Sequence, residues 1–522
     1  MTDIRATFID RRAIWAFALG CAMVTAGVIL HLPMFAMARM SGYRMAGMAM
    51  GNDMLFGMGL IVTGVLVSAY GLLPRDIAAQ RAASASIVVS APEDAALGSA
   101  HWKLMSVLVV ALIIDVMKPA SLGFTVPGMI GEYAVPRATV SLVPFSALCG
   151  TVVGSVLWGV IADIYGRRAS ILLAAVMFVG TSICGAMPSL AWNIGMCFMM
   201  GAAAGGMLPV TYALLAEMMP RRHRGWSLVL VGGLGAVGGY FAASGLSALL
   251  QPIFGWRILW LANLPTGLLL VLLGNFIPES AQFLLARGRR REAAEVMRRF
   301  GAVAASVAPA RDETAAGGAS AIAIWGTTIA LSMAAVTWGL VNFGLLLWLP
   351  ADLVARGYSV AVSSRILAQS ALFAFPMAFG AAYIYSAWST KWSLVTMLGL
   401  TTLGLCGVMW LELSGRGNPV IPIAFLIIGS NGLLAVLLPY AAESYPLTMR
   451  ARGTGWVAAC TKAGGLIAQT LSIAALVPSM AAVAALIAIP AALAILLVAW
   501  LGRETRNIDL RSLDASRDLA VR

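Results

Sequence analysis

Charge is the scarcest ingredient of this chain. Only 11% of its 522 residues are Asp, Glu, Lys or Arg, against 60% hydrophobic, a balance that excludes an ordinary water-soluble domain. Histidine is scarcer still, with three copies. His101 and His223 fall in hydrophilic stretches and His31 stands alone, so no zinc or catalytic histidine cluster is visible. The six cysteines lie mostly within apolar runs, without metal-like pairs, and say little about redox compartment. There is no Walker loop and no serine-hydrolase elbow. Gly233, Gly235 and Gly238 match a dinucleotide fingerprint in spacing, but they sit inside an apolar stretch with no preceding strand, where close helix packing explains them better. With neither nucleophile nor metal cluster, no enzyme is expected and no cofactor.

What the chain has in quantity is long apolar runs. Two lie at about residues 13–36 and 54–73, and twelve more follow between about 104 and 502. Each is close to the roughly 20 residues that span a bilayer. The expected fold is therefore an all-α polytopic membrane protein: two six-helix halves, making 12 core transmembrane helices, plus 2 additional N-terminal ones, 14 in all. The expected divisions are a hairpin over 1–75, a linker over 76–103, a first half over 104–276, a central loop over 277–322, a second half over 323–502 and a tail over 503–522. The linker is small, polar and unpatterned. In the central loop, 280–300 reads as a basic amphipathic helix on the membrane surface.

The formal charge of +13 does not point to nucleic acid. Most Lys and Arg fall in alternate loops, the positive-inside pattern, which predicts that both termini are cytoplasmic in a bacterial inner membrane. Only Lys118 and Lys462 lie well inside apolar runs. The partners expected are a small-molecule substrate, protons and the lipid bilayer, with the chain acting as a monomer.

A short turn occurs twice. Glu217, Pro220 and Arg224 recur at the spacing of Glu443, Pro446 and Arg450. Each set follows an apolar run that opens on a glycine, Gly206 or Gly432. The repetition suggests duplication, and a carboxylate and a guanidinium one turn apart can clamp two helix ends at the membrane surface.

Within the membrane, Asp115 lies about eleven residues into its run, ~16 Å deep and near the middle of a ~30 Å core. A charge there is costly unless paired, and Lys118, one turn on, is its natural partner. Pro119 follows, and its missing N–H leaves a polar break near the midplane. Lys462 is a second intramembrane cation, with Gln469 two turns further on the same face. Two lysines beside one aspartate would favour an anion in a central cavity. Asn342, Gln369 and Asn431 are further polar wall candidates, which could equally be packing polars. The outer hairpin is methionine-rich, and thioethers select Cu(I), so Met34, Met37 and Met40 are weak metal candidates, beside their ordinary use as adaptable filler.

Over about residues 104–510 the chain resembles the major facilitator superfamily. Gly159, Asp163, Gly166, Arg167 and Arg168 look like its signature loop between the second and third core helices, although Ile164 stands where an arginine is usual after the aspartate. The matching loop of the second half, near Trp388 to Ser393, has only Lys391. Pro278, Glu279 and Ser280, with the repeated Glu-x-x-Pro-x-x-x-Arg, resemble the sugar-porter and organic-ion branches. Asp115, Gly123, Phe124 and Pro127 in the first core helix, with Gly205, Gly206 and Pro209 in the fourth and Trp348, Leu349, Pro350 and Gly357 in the seventh, resemble the aromatic-acid/proton symporter branch. In that branch a second aspartate stands where this chain has Lys118, and an arginine where it has Cys197.

The resemblance implies a secondary active transporter that works by alternating access, with the loop motifs as conformational gates. The reading favoured is proton-coupled uptake of a small organic anion or metabolite. The alternatives are a proton-linked efflux pump, copper handling through the hairpin, and a transporter-like sensor. For the pump, the Gly-Pro signature expected in the fifth core helix is absent.

Overall fold

The computed structural model describes residues 11–73, 87–90, 96–286, 288–301, 303–306, 321–445 and 449–506. It is helical apart from one two-stranded ribbon. Among the described residues, thirteen helices are long and apolar enough to cross a membrane. The fourteenth expected span corresponds to Arg450–Ile473, a helix of 24 residues. Two arginines and Lys462 make it less apolar than the rest, so thirteen, not fourteen, pass on both length and apolarity. Chain contacts divide the protein into two compact units, residues 1–224 with 245–309, and residues 225–244 with 310–522.

In the first unit, hairpin helices Arg11–Ile29 and Asn52–Leu72 pack against each other and then against the third core helix, Arg167–Gly180, through Val24, Val28, Val176 and Val179. The hairpin is thus built into this half. The loop between its helices is fixed by a polar anchor at the end of the first core helix, Ser99–Tyr133. There Glu132 accepts from the backbone N–H groups of Met45 and Ala46 at 2.7 and 2.9 Å. The same carboxylate accepts from Trp256 Nε1 at 2.7 Å and from Arg257 Nη2 at 2.7 Å. Arg257 also donates to the Met187 carbonyl and the Tyr133 hydroxyl. Tyr43, from the hairpin loop, stacks on Phe35 and meets Phe254 edge-on.

The segment read as a plain linker contributes a strand. Ile87–Ser90 pairs antiparallel with Val303–Ser306, the stretch that follows the basic helix Arg290–Phe300. β-branched Ile87, Val88 and Val89 suit the pleat, but four residues are too few to show a period in the sequence. Near this ribbon His101 is buried at the start of the first core helix, its ring edge-on to Phe300 and its Nδ1 accepting from Gly98 N–H. It serves as a cap and packing residue.

In the second unit, the seventh core helix is Ala321–Leu340, a π-turn Val341–Leu345 and Leu346–Ala355. It lies against the eleventh, Arg450–Ile473, with glycines on both sides of the contact. A Cβ added at Gly339 would stand 2.2 Å from the Thr461 carbonyl oxygen, and one at Gly464 would stand 2.3 Å from that of Val336. Close approach of this kind brings helix backbones nearly into contact. Val360–Ala387, Thr390–Ser414, Val420–Ser444 and Met480–Leu501 are the eighth, ninth, tenth and twelfth core helices.

Candidate functional site

Two intramembrane clusters and two loop clasps carry the polar chemistry. In the first unit Asp115 and Lys118 are both buried, Lys118 completely. The Lys118 ammonium reaches across to the third core helix rather than along its own. It donates to the Phe178 carbonyl at 2.8 Å and to the Thr181 hydroxyl, and stands 4.0 Å over the Phe178 ring. Lys118 therefore joins helices within this unit, and its expected partnership with Asp115 is not the contact that holds its head group.

In the second unit the π-turn gathers three of the predicted residues. A π-turn adds a residue to the helical repeat and turns side chains and carbonyls out of register, a frequent arrangement at functional positions. Here Lys462 Nζ lies 5.3 Å from the Phe343 ring centre and 5.8 Å from that of Trp338, and the two rings meet edge-on. Gln469 donates to the Phe343 carbonyl, and Asn342 to the Trp338 carbonyl at 3.2 Å. Trp338 Nε1 and Gln469 Oε1, both buried, have no hydrogen-bond partner among the described residues. The cluster thus presents one cation, two aromatic faces, a spare N–H and a spare carbonyl oxygen. Asn431 is buried and donates to the Ile427 carbonyl of its own helix at 3.0 Å. It lies outside this cluster, and Gln369 is exposed.

The loop motifs form a clasp in each unit. In the first, Gly166 takes φ of 99° between the second and third core helices, a region open to glycine. The Glu279 carboxylate fills the space beside it, accepting from Arg168 N–H at 3.3 Å at the start of the third core helix, where a negative charge is favoured. Arg168 Nε donates to the Gly274 carbonyl at 3.0 Å. Arg167 pairs with Glu217 at 3.3 Å, and Ser280 donates to the same carboxylate at 2.6 Å. Gly159 stands in open space. Asp163 lies on the second core helix, with its side chain outside the described set. Pro220 caps the fifth core helix, and Arg224 lies half-buried on its first turn.

The second clasp uses residues that sequence reading missed. Glu504 accepts from Thr390 N–H at 3.0 Å and Thr390 Oγ1 at 2.6 Å, and from the Ser389 hydroxyl, so it sits at the start of the ninth core helix as Glu279 sits at the third. Burial raises the Glu504 carboxyl, but these donors outweigh it and hold the group below the usual carboxylate range. Thr505 donates to Glu443 at 2.8 Å, as Ser280 does to Glu217. Where the first clasp has Arg167, the second has Tyr385, whose hydroxyl donates to Glu443 at 2.8 Å. The signal was available: Glu504-Thr505 follows the twelfth apolar run as Glu279-Ser280 follows the sixth. Pro446 lies outside the described residues, and Arg450 opens the eleventh core helix with its side chain not described.

The weak metal candidates do not converge. Met34 is buried in the hairpin core, while Met37 and Met40 are 65% and 96% exposed. Among the described residues no group of three His, Cys, Asp or Glu could hold a metal ion.

The model for the Major Facilitator Superfamily matches residues 104–435, well over half of the chain. The chain belongs to that superfamily. This superfamily member is 28% identical over 396 residues to the niacin transporter NiaP of Acinetobacter baylyi, an alignment covering 73% of this chain and 88% of the relative. It is 27% identical over 393 residues to the 4-hydroxybenzoate transporter PcaK of Pseudomonas putida, covering 70% and 84%. Its fold is that of the E. coli xylose transporter XylE, with TM-score 0.62 and 15% identity, covering 80% of this chain and 99% of XylE. It is an integral membrane transporter and not an enzyme. The hairpin of 11–73 precedes the matched region and is an addition to it.

Proposed function

We propose that this transporter takes up a small aromatic carboxylate together with protons, across a bacterial inner membrane, with both termini cytoplasmic. The observation that carries the reading is the cluster at the π-turn. Lys462 supplies the charge a carboxylate needs, Trp338 and Phe343 offer faces for a flat ring, and the spare Trp338 N–H and Gln469 carbonyl oxygen offer one donor and one acceptor for orientation. The names of the relatives, for niacin, 4-hydroxybenzoate and benzoate, belong to the same substrate class. Proton coupling falls to Asp115, a buried carboxylate near mid-membrane. Its protonation removes a negative charge and so favours an anion, and by linkage the anion favours protonation. The chain, with its two six-helix halves 104–276 and 323–502, would work by alternating access, and the clasps around Glu217 and Glu443 would form in one state of that cycle. The protein is proposed to act as a monomer.

The test is uptake of labelled benzoate and nicotinate into proteoliposomes, with and without an imposed inward proton gradient. Wild type should accumulate at least one of them and respond to the gradient. Asp115→Asn should still be stabilised thermally by the ligand but lose the gradient response. A gradient-driven Asp115→Asn variant would remove the coupling role, and a wild type that neither binds nor moves any aromatic acid would remove the substrate class.

A further inference from the structure

His31 is completely buried at the loop end of the hairpin, between the helix Arg11–Ile29 and the short helix Leu32–Met37. Its Nδ1 lies 2.7 Å from the Gly27 carbonyl oxygen. A carbonyl only accepts, so Nδ1 carries the ring's hydrogen and Nε2 is left as a bare lone pair. That nitrogen is buried and has no hydrogen-bond partner among the described residues. An imidazole held through one N–H on a backbone carbonyl, with its other nitrogen free, is the arrangement that orients a metal-binding histidine.

The lone pair has a definite direction. Gly27 lies one turn back toward the N-terminus, and Nε2 is on the far side of the ring from Nδ1, so it is aimed toward the hairpin loop. Cε1, between the two nitrogens, faces the second hairpin helix, where a Cβ added at Gly57 would stand 2.8 Å from it. The two helices run antiparallel in close contact. A Cβ added at Gly20 would stand 2.5 Å from the Gly64 carbonyl oxygen, and one at Gly27 would stand 2.5 Å from that of Gly57. One turn loopward of His31 is therefore level with one turn loopward of Gly57. His31 keeps helical backbone angles, φ −91° and ψ −16°, so the residue one turn on is Met34, and the residue one turn before Gly57 is Met54. Both methionines are buried, and they belong to one apolar cluster.

We propose that His31, Met34 and Met54 form a site for a soft monovalent metal ion, Cu(I), bound by one imidazole nitrogen and two thioether sulfurs. Thioethers select Cu(I), and imidazole suits copper. All three ligands are neutral, so binding releases no proton and the ion keeps its single positive charge. These ligands bring no negative charge of their own, which disfavours burying a divalent ion among them. Met37 and Met40, exposed at the loop, stand outside the site. The hairpin precedes the region matched to the superfamily, so the site is separate from organic-anion transport and does not rest on that reading.

The experiment is anaerobic Cu(I) titration of the reduced full-length protein in detergent against a chromophoric Cu(I) chelator, with X-ray absorption on the loaded wild type. Wild type should retain one Cu(I) per chain, with a first shell of one nitrogen and two sulfurs. His31→Phe, Met34→Leu and Met54→Leu should each weaken retention at least tenfold, whereas the combined Met37→Leu and Met40→Leu variant should retain Cu(I) as wild type does. Cu(I) should also raise the melting temperature of wild type and not that of His31→Phe. A wild type that cannot compete with the chelator would overturn the site. So would a shell of sulfur alone, which would assign the ion to cysteines or to other methionines. Unchanged retention in a folded His31→Phe variant, or loss in the combined Met37→Leu and Met40→Leu variant, would do the same. The absorption measurement needs no variant, so it decides even where a substitution in so tightly packed a hairpin prevents folding.

Discussion

Arg257 and Glu132 form an ion pair at 2.7 Å in which neither side chain is more than 5% exposed. Five N–H donors converge on that one carboxylate, two of them the backbone N–H groups of the hairpin loop, so the pair holds an appended hairpin to a superfamily core. Removing one member of such a pair leaves a buried charge uncompensated, typically at a cost of about 3–5 kcal/mol. Glu132→Gln should lower the melting temperature markedly. It should also expose the 40–50 loop to proteolysis, whereas wild type resists. A variant with unchanged melting and unchanged cleavage would show that the apolar hairpin contacts suffice.

The second clasp should be acid-sensitive. Glu504 has a folded pKa below its unfolded value. It therefore contributes stability above the unfolded carboxylate pKa, and loses it as pH falls through the lower folded value. Melting of wild type should fall on acidification from neutral pH, and the gap between wild type and Glu504→Gln should narrow toward zero in acid. A gap that stays constant would mean the carboxylate's charge contributes nothing there.

Gly464 tests the approach of the seventh and eleventh core helices. Ala at this position would bring a Cβ to 2.3 Å from the Val336 carbonyl oxygen, a backbone atom that cannot swing aside. Overpacking of this kind costs about 1–3 kcal/mol. Gly464→Ala should lower stability and disturb the π-turn cluster, read as loss of the ligand-induced thermal shift. By contrast Gly455, with nothing near its added Cβ, should accept Ala with little change.

Lys462 separates binding from folding. Half-buried over two rings, it is replaced in shape by Met, which keeps the apolar stem and removes the charge. Lys462→Met should melt close to wild type yet lose stabilisation by aromatic carboxylates at least tenfold in ligand concentration. Unchanged stabilisation would move the anion site elsewhere.

Much of the fold was legible because membrane spans are read from length and apolarity alone, and those are properties of local sequence. The eleventh span was read in the same way, although Lys462 and two arginines dilute its apolar signal. The repeat pointed to Glu217 and Glu443, but their clasp partners, Arg167 with Ser280 and Tyr385 with Thr505, lie outside the repeated motif, and Glu504 went unread although its Glu-Thr follows the twelfth run as Glu-Ser follows the sixth. The direction of Lys118 was not legible at all. Spacing placed it one turn from Asp115, but helix rotation and the third core helix decide which acceptors it meets. Glu132 and Arg257 carried no signal in the sequence, because nothing local shows that a hairpin loop comes to lie on them.

The ribbon of Ile87–Ser90 with Val303–Ser306 also fixes an order of events. The first strand is made directly after the hairpin, but its partner does not exist until the whole first half and the basic helix have been synthesised. Pairing over so long a stretch carries a loop-closure cost that the intervening helices must first repay by packing. The ribbon is thus a completion seal, able to close only on a first half that is already assembled.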